Sequence, residues 1–379
     1  MATAARPAQV ARGRCTTIPA MNASVPPSSS SAASPDGVDW SQLEGPVLVA
    51  GGAGYIGSHC VRQLVRRGAR VVVLDNLSTG HRQNFETASE GRADFVQGDL
   101  SDRDALARLF AEHRPAAVIH FAAKCYVGES VTQPATYYQE NVGFTWNLLE
   151  AMREAGCDTL VFSSTCATYG EPVEIPITED HPQNPINPYG RTKLHMEHMI
   201  EDYGRAYGLK WAALRYFNAA GCSPEGDMGE SHDPETHLIP LVLQVALGQR
   251  EEIAMFGDDY DTPDGTCIRD YIHVDDLADA HLRAIGVLRA GGGPVVCNLG
   301  TGDGYSVKEL VELAREVTGH AVPARIAARR EGDPARLVCG GTRGLDLLGW
   351  TPRRSDLRTI LEDAWRWHRA NPSGCAPNA

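Results

Sequence analysis

The four apolar residues Val47–Ala50 pass without a break into Gly51-Gly52-Ala53-Gly54-Tyr55-Ile56-Gly57 and then into a helical pattern. No other stretch restricts the fold so sharply. A short run of consecutive apolar residues reads as a strand buried on both faces, the habit of parallel sheets covered by helices. Glycines spaced G-x-x-G-x-x-G at a strand–helix turn leave room for close approach to free backbone N–H groups, where the helix dipole favours negative charge. That turn suits a pyrophosphate. A second apolar run, residues 70–75, ends on Asp75, 18 residues after Gly57. A carboxylate there can accept from the adenosine ribose diol and would repel a 2′-phosphate, so the expected cofactor is NAD. Gly51, Gly54, Tyr55, Ile56, Gly57 and Asp75 are the expected contacts. Asp99 closes a third run, and two roles stay open for it: a neighbour of the adenine, or the N-cap of the helix that follows.

The strand–helix alternation continues. Strands are expected at 93–97, 116–121, 159–163 and 210–217, and helices at 55–67, 102–113, 136–156 and 188–207. This pattern predicts an α/β, Rossmann-type doubly wound parallel sheet. Beyond Cys222 the rhythm is less even, with helices at 274–289, 306–319 and 355–370 and strands at 253–256, 295–299 and 325–327. The second helix opens on a capping box, Ser306-x-x-Glu309. The expectation is a cofactor domain over 45–221, a smaller mixed α/β substrate domain over 222–373 with some interleaving, and a flexible end at 374–379. Residues 1–44, rich in Ala, Ser and Pro, read as a disordered tail. Their acid-poor character also suits an organelle import segment, or a start assigned too early with Met21 as the alternative.

Charge and cysteine usage narrow the partners. Lys and Arg number 35 and Asp and Glu 48, a net charge of −13, which argues against nucleic acid and anionic lipid as partners. No apolar run has the length of a membrane span. The ten cysteines are scattered without a Cys-x-x-Cys pair, as expected of reduced thiols in the cytoplasm.

Chemistry is written into Asn187-Pro188-Tyr189-Gly190-Arg191-Thr192-Lys193. Asn as N-cap and Pro at the first helical position start a helix, so Tyr189 and Lys193, four apart, share a face. A phenol is a poor base at neutral pH. An ammonium one turn away, with the charge of an oxidised nicotinamide, would lower its pKa and fit it to take a carbinol proton as hydride leaves. Thr165, at the end of the fifth strand run, delivers a hydroxyl to the same rim. The bland alternatives are an amphipathic tyrosine beside a solvated lysine, and a threonine that caps the next turn. His195, Glu197 and His198 on the same helix read as a solvent-facing stripe, and no metal is expected.

Taken together, these residues resemble the extended short-chain dehydrogenases/reductases, and within them the UDP-glucose 4-epimerase family. Gly51–His59, Phe121-Ala122-Ala123, Val127-Gly128-Glu129-Ser130, the stretches 163–170 and 188–193, and Leu214-Arg215-Tyr216-Phe217-Asn218 carry the likeness. Gly226-Asp227-Met228-Gly229, Asp264-Gly265-Thr266, the stretch 269–274 and Arg329-Arg330-Glu331-Gly332-Asp333 extend it. The resemblance implies an NAD-dependent isomerase of galactose metabolism that forms a homodimer. It would oxidise C4 of UDP-glucose or UDP-galactose, let the 4-keto sugar turn about its phosphate linkage, and return the hydride to the other face. It makes Tyr189 the acid/base, Lys193 its tuner and Thr165 the hydroxyl partner. Asn76, Asp99, Leu100, Phe121, Ala122, Ala123, Asn141 and Phe217 join the cofactor set, with Tyr189 and with Lys193 as a ribose ligand. Asn218, His237, Leu238, Arg269, Arg330, Asp333 and Leu337 join Thr165 around the substrate. Leu337 stands at the gate position that separates plain from N-acetylated sugars, so UDP-pentoses and UDP-N-acetylhexosamines remain alternatives. The chain departs from the family at Lys124-Cys125, where the usual lysine sits one residue early. A dehydratase would carry an Asp-Glu pair after Thr165, and this chain has Cys166-Ala167. A non-catalytic NAD sensor would have lost Tyr189 or Lys193.

Overall fold

Val47–Ala50 forms strand β1 and is buried along its whole length. Val47 and Val49 pack with Cys60, Val61 and Leu64 on one side, while Leu48 packs with Leu106, Leu109 and Leu148 on the other, as the two-residue repeat of a strand requires. In this computed structural model, which describes Met1 and residues 38–330 and 332–378, five more strands join β1 in one sheet, with β3 the most exposed of them. They are β2 (Val71–Asp75), β3 (Ala93–Gln97), β4 (Ala117–His120), β5 (Thr159–Thr165) and β6 (Lys210–Tyr216). Shorter strands follow: β7 (Asn218–Ala220), β8 (Ile253–Phe256), β9 (Ile268–Arg269), β10 (Tyr271–His273), β11 (Val295–Leu299), β12 (Tyr305–Ser306), β13 (Ala324–Ala327) and β14 (Arg336–Leu337).

The main sheet has seven strands in the order β11-β6-β5-β4-β1-β2-β3, all parallel. From β1 the chain builds outward through β2 to β3, then returns to place β4 on the other side of β1. That reversal opens a crevice at the carboxyl ends of β1 and β4, where doubly wound sheets bind ligands. Helices Tyr55–Arg66 and Val274–Arg289 cover one face, and Arg103–His113, Phe144–Ala155 and Pro188–Tyr207 cover the other. Both β11 and helix Val274–Arg289 come from the later part of the chain, so the two expected halves interleave through the sheet itself.

A second core gathers helices Leu238–Ala246, Val307–Thr318 and Leu357–Ala370 around Val242, Leu310, Ile360, Trp365 and Trp367. The capping box forms, Ser306 accepting from Glu309 N and Glu309 accepting from Ser306 N. Beside this core β8 pairs with β13, and β9 lies between β12 and β14.

Three segments differ from the sequence reading. Of the expected tail, residues 2–37 lie outside the described residues, but Asp39 caps a single turn at Trp40–Gln42 and Trp40 is 2% exposed, so the folded part starts before residue 45. Residues 374–378, expected to be flexible, are bonded to the body: Cys375 N donates to Ser231 Oγ, and Asn378 Nδ2 to the Leu77 and Gly80 carbonyls. The single helix expected at 136–156 begins at Pro134 and passes through a π-helical turn, Tyr138–Gly143, before Phe144–Ala155.

Candidate active site

At the mouth of the β1/β4 crevice the glycine loop makes its turn with no side chain in the way. Gly51 has φ +84°, a left-handed value that favours glycine. A Cβ on Gly57 would lie 2.1 Å from the Gly51 carbonyl oxygen, so the first helical turn can close on the loop only as glycine. Gly54 is the N-cap and contributes no side-chain hydrogen bond, which leaves the first-turn N–H groups for a ligand. Asp75, 8% exposed, reaches into this loop: Oδ2 accepts from Ala53 N (2.9 Å) and Oδ1 from Leu77 N (2.8 Å). Burial raises its pKa, and the two backbone donors oppose that shift. Each oxygen keeps lone-pair capacity for a diol.

Asp99 lies beside it, with Oδ2 accepting from Asn76 Nδ2 (2.5 Å) and Oδ1 from Ser101 N (2.7 Å). The helix Arg103–His113 is capped by Asp102, whose side chain accepts from Ala105 N. The N-cap role offered for Asp99 therefore belongs to Asp102. Leu100, Phe121, Ala122 and Ala123 complete this end of a cavity of about 750 Å³.

The same cavity is lined by Thr165, Tyr189, Lys193, Tyr216 and Phe217. Asn187 caps the helix by accepting from Gly190 N, with Pro188 in the first turn, and this sets Tyr189 and Lys193 on its inner face. Tyr189 is 7% and Lys193 3% exposed. Lys193 Nζ donates to the Ser163 carbonyl (2.9 Å) and lies 6.0 Å from the centre of the Tyr189 ring. Thr165 Oγ1 accepts from Ala167 N (3.1 Å), so it caps the next turn and also lines the cavity. The electrostatics of the cofactor-free site show what the lysine does by itself. Burial dominates and raises the Tyr189 pKa well above the ordinary phenol value, with a hydrogen bond from Thr165 pulling the other way. Burial also lowers Lys193 to about 8. The lysine alone does not make the phenol acidic.

Arginines line the cavity as well. Arg269 donates to Asp333 in a close ion pair, and its Nη1 donates to the Ile268 carbonyl (2.8 Å). Arg330 lies 4.0 Å over the Phe256 ring. Asn218 Nδ2 donates to the Asp270 carbonyl (2.8 Å). Leu337 sits opposite Arg269 across β9 and β14 and packs near Phe217 and Tyr169. Leu238 and His237 open the helix above them, and His237 Nδ1 faces Glu230 and Glu235, leaving Nε2 as its other polar atom.

The expected residues thus line one cavity, with one exception. Asn141 stands fully buried behind the wall. Its Oδ1 accepts from Lys124 N (2.7 Å), and Nδ2 donates to the Lys124 carbonyl and to Thr192 Oγ1. It positions the 124–125 strip, whose Lys124 and Cys125 line the cavity. Nor is the stripe His195, Glu197, His198 solvent-facing throughout. The two histidines are exposed, but Glu197 is 5% exposed and bound to Arg215. Sequence reasoning missed Tyr216, Arg250, Phe256, Glu230 and His232 as lining residues. Only the arginine and the aromatic rings carried any signal, because their contacts depend on which loops meet.

The description of the NAD dependent epimerase/dehydratase family matches residues 47–300. The UDP-glucose 4-epimerase of Halalkalibacterium halodurans is 54% identical over 328 residues, 86% of this chain and 97% of that one. The crystal structure of the Brucella ovis UDP-glucose 4-epimerase in complex with NAD superposes with a TM-score of 0.82 at 51% identity, covering 85% of this chain and 97% of that one. That of the Bifidobacterium longum enzyme in complex with NAD+ and UDP has a TM-score of 0.82 at 37% identity, covering 87% and 99%.

Proposed function

The chain belongs to the NAD dependent epimerase/dehydratase family, and on that premise we propose that UDP-glucose and UDP-galactose are the pair it interconverts. Its reaction is NAD-dependent epimerisation at C4 of a UDP-sugar. The observation that carries the reading is that Tyr189, Lys193 and Thr165 line one cavity together with Asp75 and the glycine loop and with Arg250, Arg269 and Arg330.

The glycine loop fits the dinucleotide because a Cβ at Gly51 or Gly57 would strike backbone, while the N–H groups of the following turn and the Asp75 carboxylate supply what a pyrophosphate and a ribose diol need. When bound, NAD supplies the hydride acceptor and a positive charge beside the buried phenol. Tyr189 is then the group that takes the proton from the C4 hydroxyl and returns it. Thr165 donates to the same oxygens and holds the sugar hydroxyl in line. Lys193, fixed by the Ser163 carbonyl, contributes a nearby charge. At the other end, guanidinium forks of Arg269 and Arg330 suit a diphosphate. Asp333 holds Arg269 in place, Asn218, His237 and Leu238 frame the nucleotide, and Leu337 bounds the sugar. A tightly held diphosphate and a loosely held sugar are what inversion at one carbon requires.

The test is conversion of UDP-galactose to UDP-glucose, read with a coupled UDP-glucose dehydrogenase, against a panel of UDP-pentoses and UDP-N-acetylhexosamines. Preference for a pentose or an N-acetylhexosamine would replace the glucose/galactose pair. Tyr189→Phe should lower turnover by about 10²–10⁴-fold with bound NAD retained, and full activity in that variant would remove Tyr189 from its role.

Two coarser properties belong to the same proposal. A homodimer is supported by apolar side chains left exposed on neighbouring helices, Val131 at 61% and Trp146 at 44%, and light-scattering mass decides it. A cytoplasmic location is supported by the free thiols of the nine described cysteines. Among the described residues no helix is long and apolar enough to cross a membrane.

A further inference from the structure

The loop from Gly229 to helix Leu238–Ala246 folds back on itself and brings Glu230, His232, Glu235 and His237 together, one ligand atom from each lying within 4.8 Å of the others. His237 Nδ1 is 2.9 Å from Glu230 Oε1 and 3.0 Å from Glu235 Oε1. His232 Nδ1 is 3.4 Å from Glu230 Oε1 and 3.4 Å from Glu235 Oε2. Tetrahedral ligands about 2.0–2.1 Å from a zinc ion stand roughly 3.3 Å from one another. The four histidine–carboxylate separations, 2.9 to 3.4 Å, lie close to that spacing.

His232 Nδ1 is buried and ion-paired with two carboxylate oxygens at 3.4 Å, without hydrogen-bond geometry to either. That leaves its lone pair or proton held by charge alone, a loosely satisfied buried nitrogen. The ring plane is held perpendicular to the rings of both Tyr55 and Tyr126. Among the described residues the ion pairs of Glu230 and Glu235 are all to these two histidines. Glu230 is 4% exposed, and Glu235 is anchored by the N–H groups of Thr236 and His237.

We propose that Glu230, His232, Glu235 and His237 form a site for a divalent transition-metal ion, with zinc the best match. Two imidazole nitrogens and two carboxylate oxygens are a zinc-type donor set, and two carboxylates balance the charge of the ion. Four protein ligands close the coordination sphere, so the ion is structural. Its consequence for the cavity is local. An imidazole ligated through Nδ1 carries its proton on Nε2, which makes His237 a fixed donor at the start of the helix beside the substrate end. The proposal does not depend on which UDP-sugar reacts, since binding is measured without turnover.

The experiment uses the full chain, expressed without a histidine tag and carrying its NAD. Metal content is measured by mass spectrometry after dialysis. Chelator-treated protein is then titrated with Zn²⁺ by calorimetry and with Co²⁺ by visible absorption. The expected result is about one zinc per chain, binding tighter than ~1 μM, an intense tetrahedral cobalt spectrum that zinc abolishes, and a rise in Tm of roughly 4 °C at a hundredfold excess over Kd. His232→Gln and Glu235→Gln should each weaken binding by about 100-fold. Zinc binding weaker than about 100 μM would overturn the proposal. So would binding unchanged in both variants. If either variant fails to fold, a weak octahedral cobalt spectrum in the wild-type chain overturns it alone.

Discussion

Helix Pro188–Tyr207 carries Tyr189 and Lys193, and one turn below them a buried ion pair ties it to the sheet. Arg215 on β6 meets Glu197 through three hydrogen bonds, Nη2 to Oε2 at 2.6 Å and Nε to the two oxygens at 3.0 and 3.2 Å. The side chains are 7% and 6% exposed. Ser164 and Gln183 also donate to Glu197, and Arg215 Nη1 donates to Tyr169 Oη. Replacing Arg215 with Met keeps much of the volume and strands a buried carboxylate. Breaking such a pair on one side costs about 3–5 kcal/mol, and the two remaining donors to Glu197 place the loss near the lower end, ~3 kcal/mol. With an unfolding entropy of about 0.7 kcal/mol/K for a chain of this size, Tm should fall by roughly 4 °C.

The diagnostic comparison is the double variant Arg215→Met with Glu197→Met, which removes the stranded charge. It should lose less stability than Arg215→Met alone, because an ion pair replaced whole by apolar groups is close to neutral. Differential scanning calorimetry at one fixed NAD concentration reads both, since bound cofactor shifts Tm by mass action. A loss under ~1 kcal/mol in Arg215→Met, or a double variant that costs the sum of the single ones, would refute the reasoning.

Two further outcomes follow from the same geometry. Gly57→Ala places a methyl 2.1 Å from the Gly51 carbonyl oxygen, so the loop must open, and NAD retained through purification, measured by absorbance, should fall at least about tenfold. Unchanged retention would mean the turn does not hold the pyrophosphate. Lys193 has its pKa lowered to about 8 by burial, with Cys125 and Glu197 opposing, from 10.5 in the unfolded chain. Between those values the unfolded state binds the extra proton, so this group adds stability as pH rises from 8 to 10.5 and costs stability below 8. Denaturant titrations of the cofactor-free wild type and Lys193→Met should therefore diverge by about 3 kcal/mol in the wild type's favour across that range, and parallel pH profiles would contradict the burial argument.

The inner strands of the main sheet were legible because they are runs of apolar residues buried on both faces, a pattern that survives without knowing its neighbours. What each strand joins was not. Val295–Leu299 reads the same as any buried strand, and its place beside β6 is decided by helix Val274–Arg289 packing against helix Tyr55–Arg66. Helix Leu238–Ala246 escaped for a different reason. Seven of its nine residues, LIPLVLQVA, are Leu, Ile, Val or Ala, with a proline in the first turn, so no polar face marks a helical period. Helices as short as Arg82–Ser89, Val127–Thr132 and Arg343–Leu348 show too few turns for any period to stand out.

The site divides along the same physical line. Tyr189 with Lys193, and the glycine loop with Asp75, were readable because one helix or one β-α-β unit fixes both members of each pair, and local geometry is what spacing encodes. Arg269 with Asp333 joins residues 64 apart in sequence, and Asn141 acts through Lys124 and Thr192 on two other segments, so no spacing rule reaches either. The phenol shows the limit most clearly. Its place beside Lys193 follows from the helix register, but the size of the burial effect does not, because burial is a property of everything packed around the ring, and without cofactor burial outweighs one ammonium whose nitrogen lies 6.0 Å from the ring centre. A buried phenol raised in pKa by its walls and poised beside a lysine does little until a second positive charge enters the cavity. Coupling proton removal to an occupied, oxidised cofactor site in this way would keep Tyr189 from acting as a base on a sugar that has no hydride acceptor beside it.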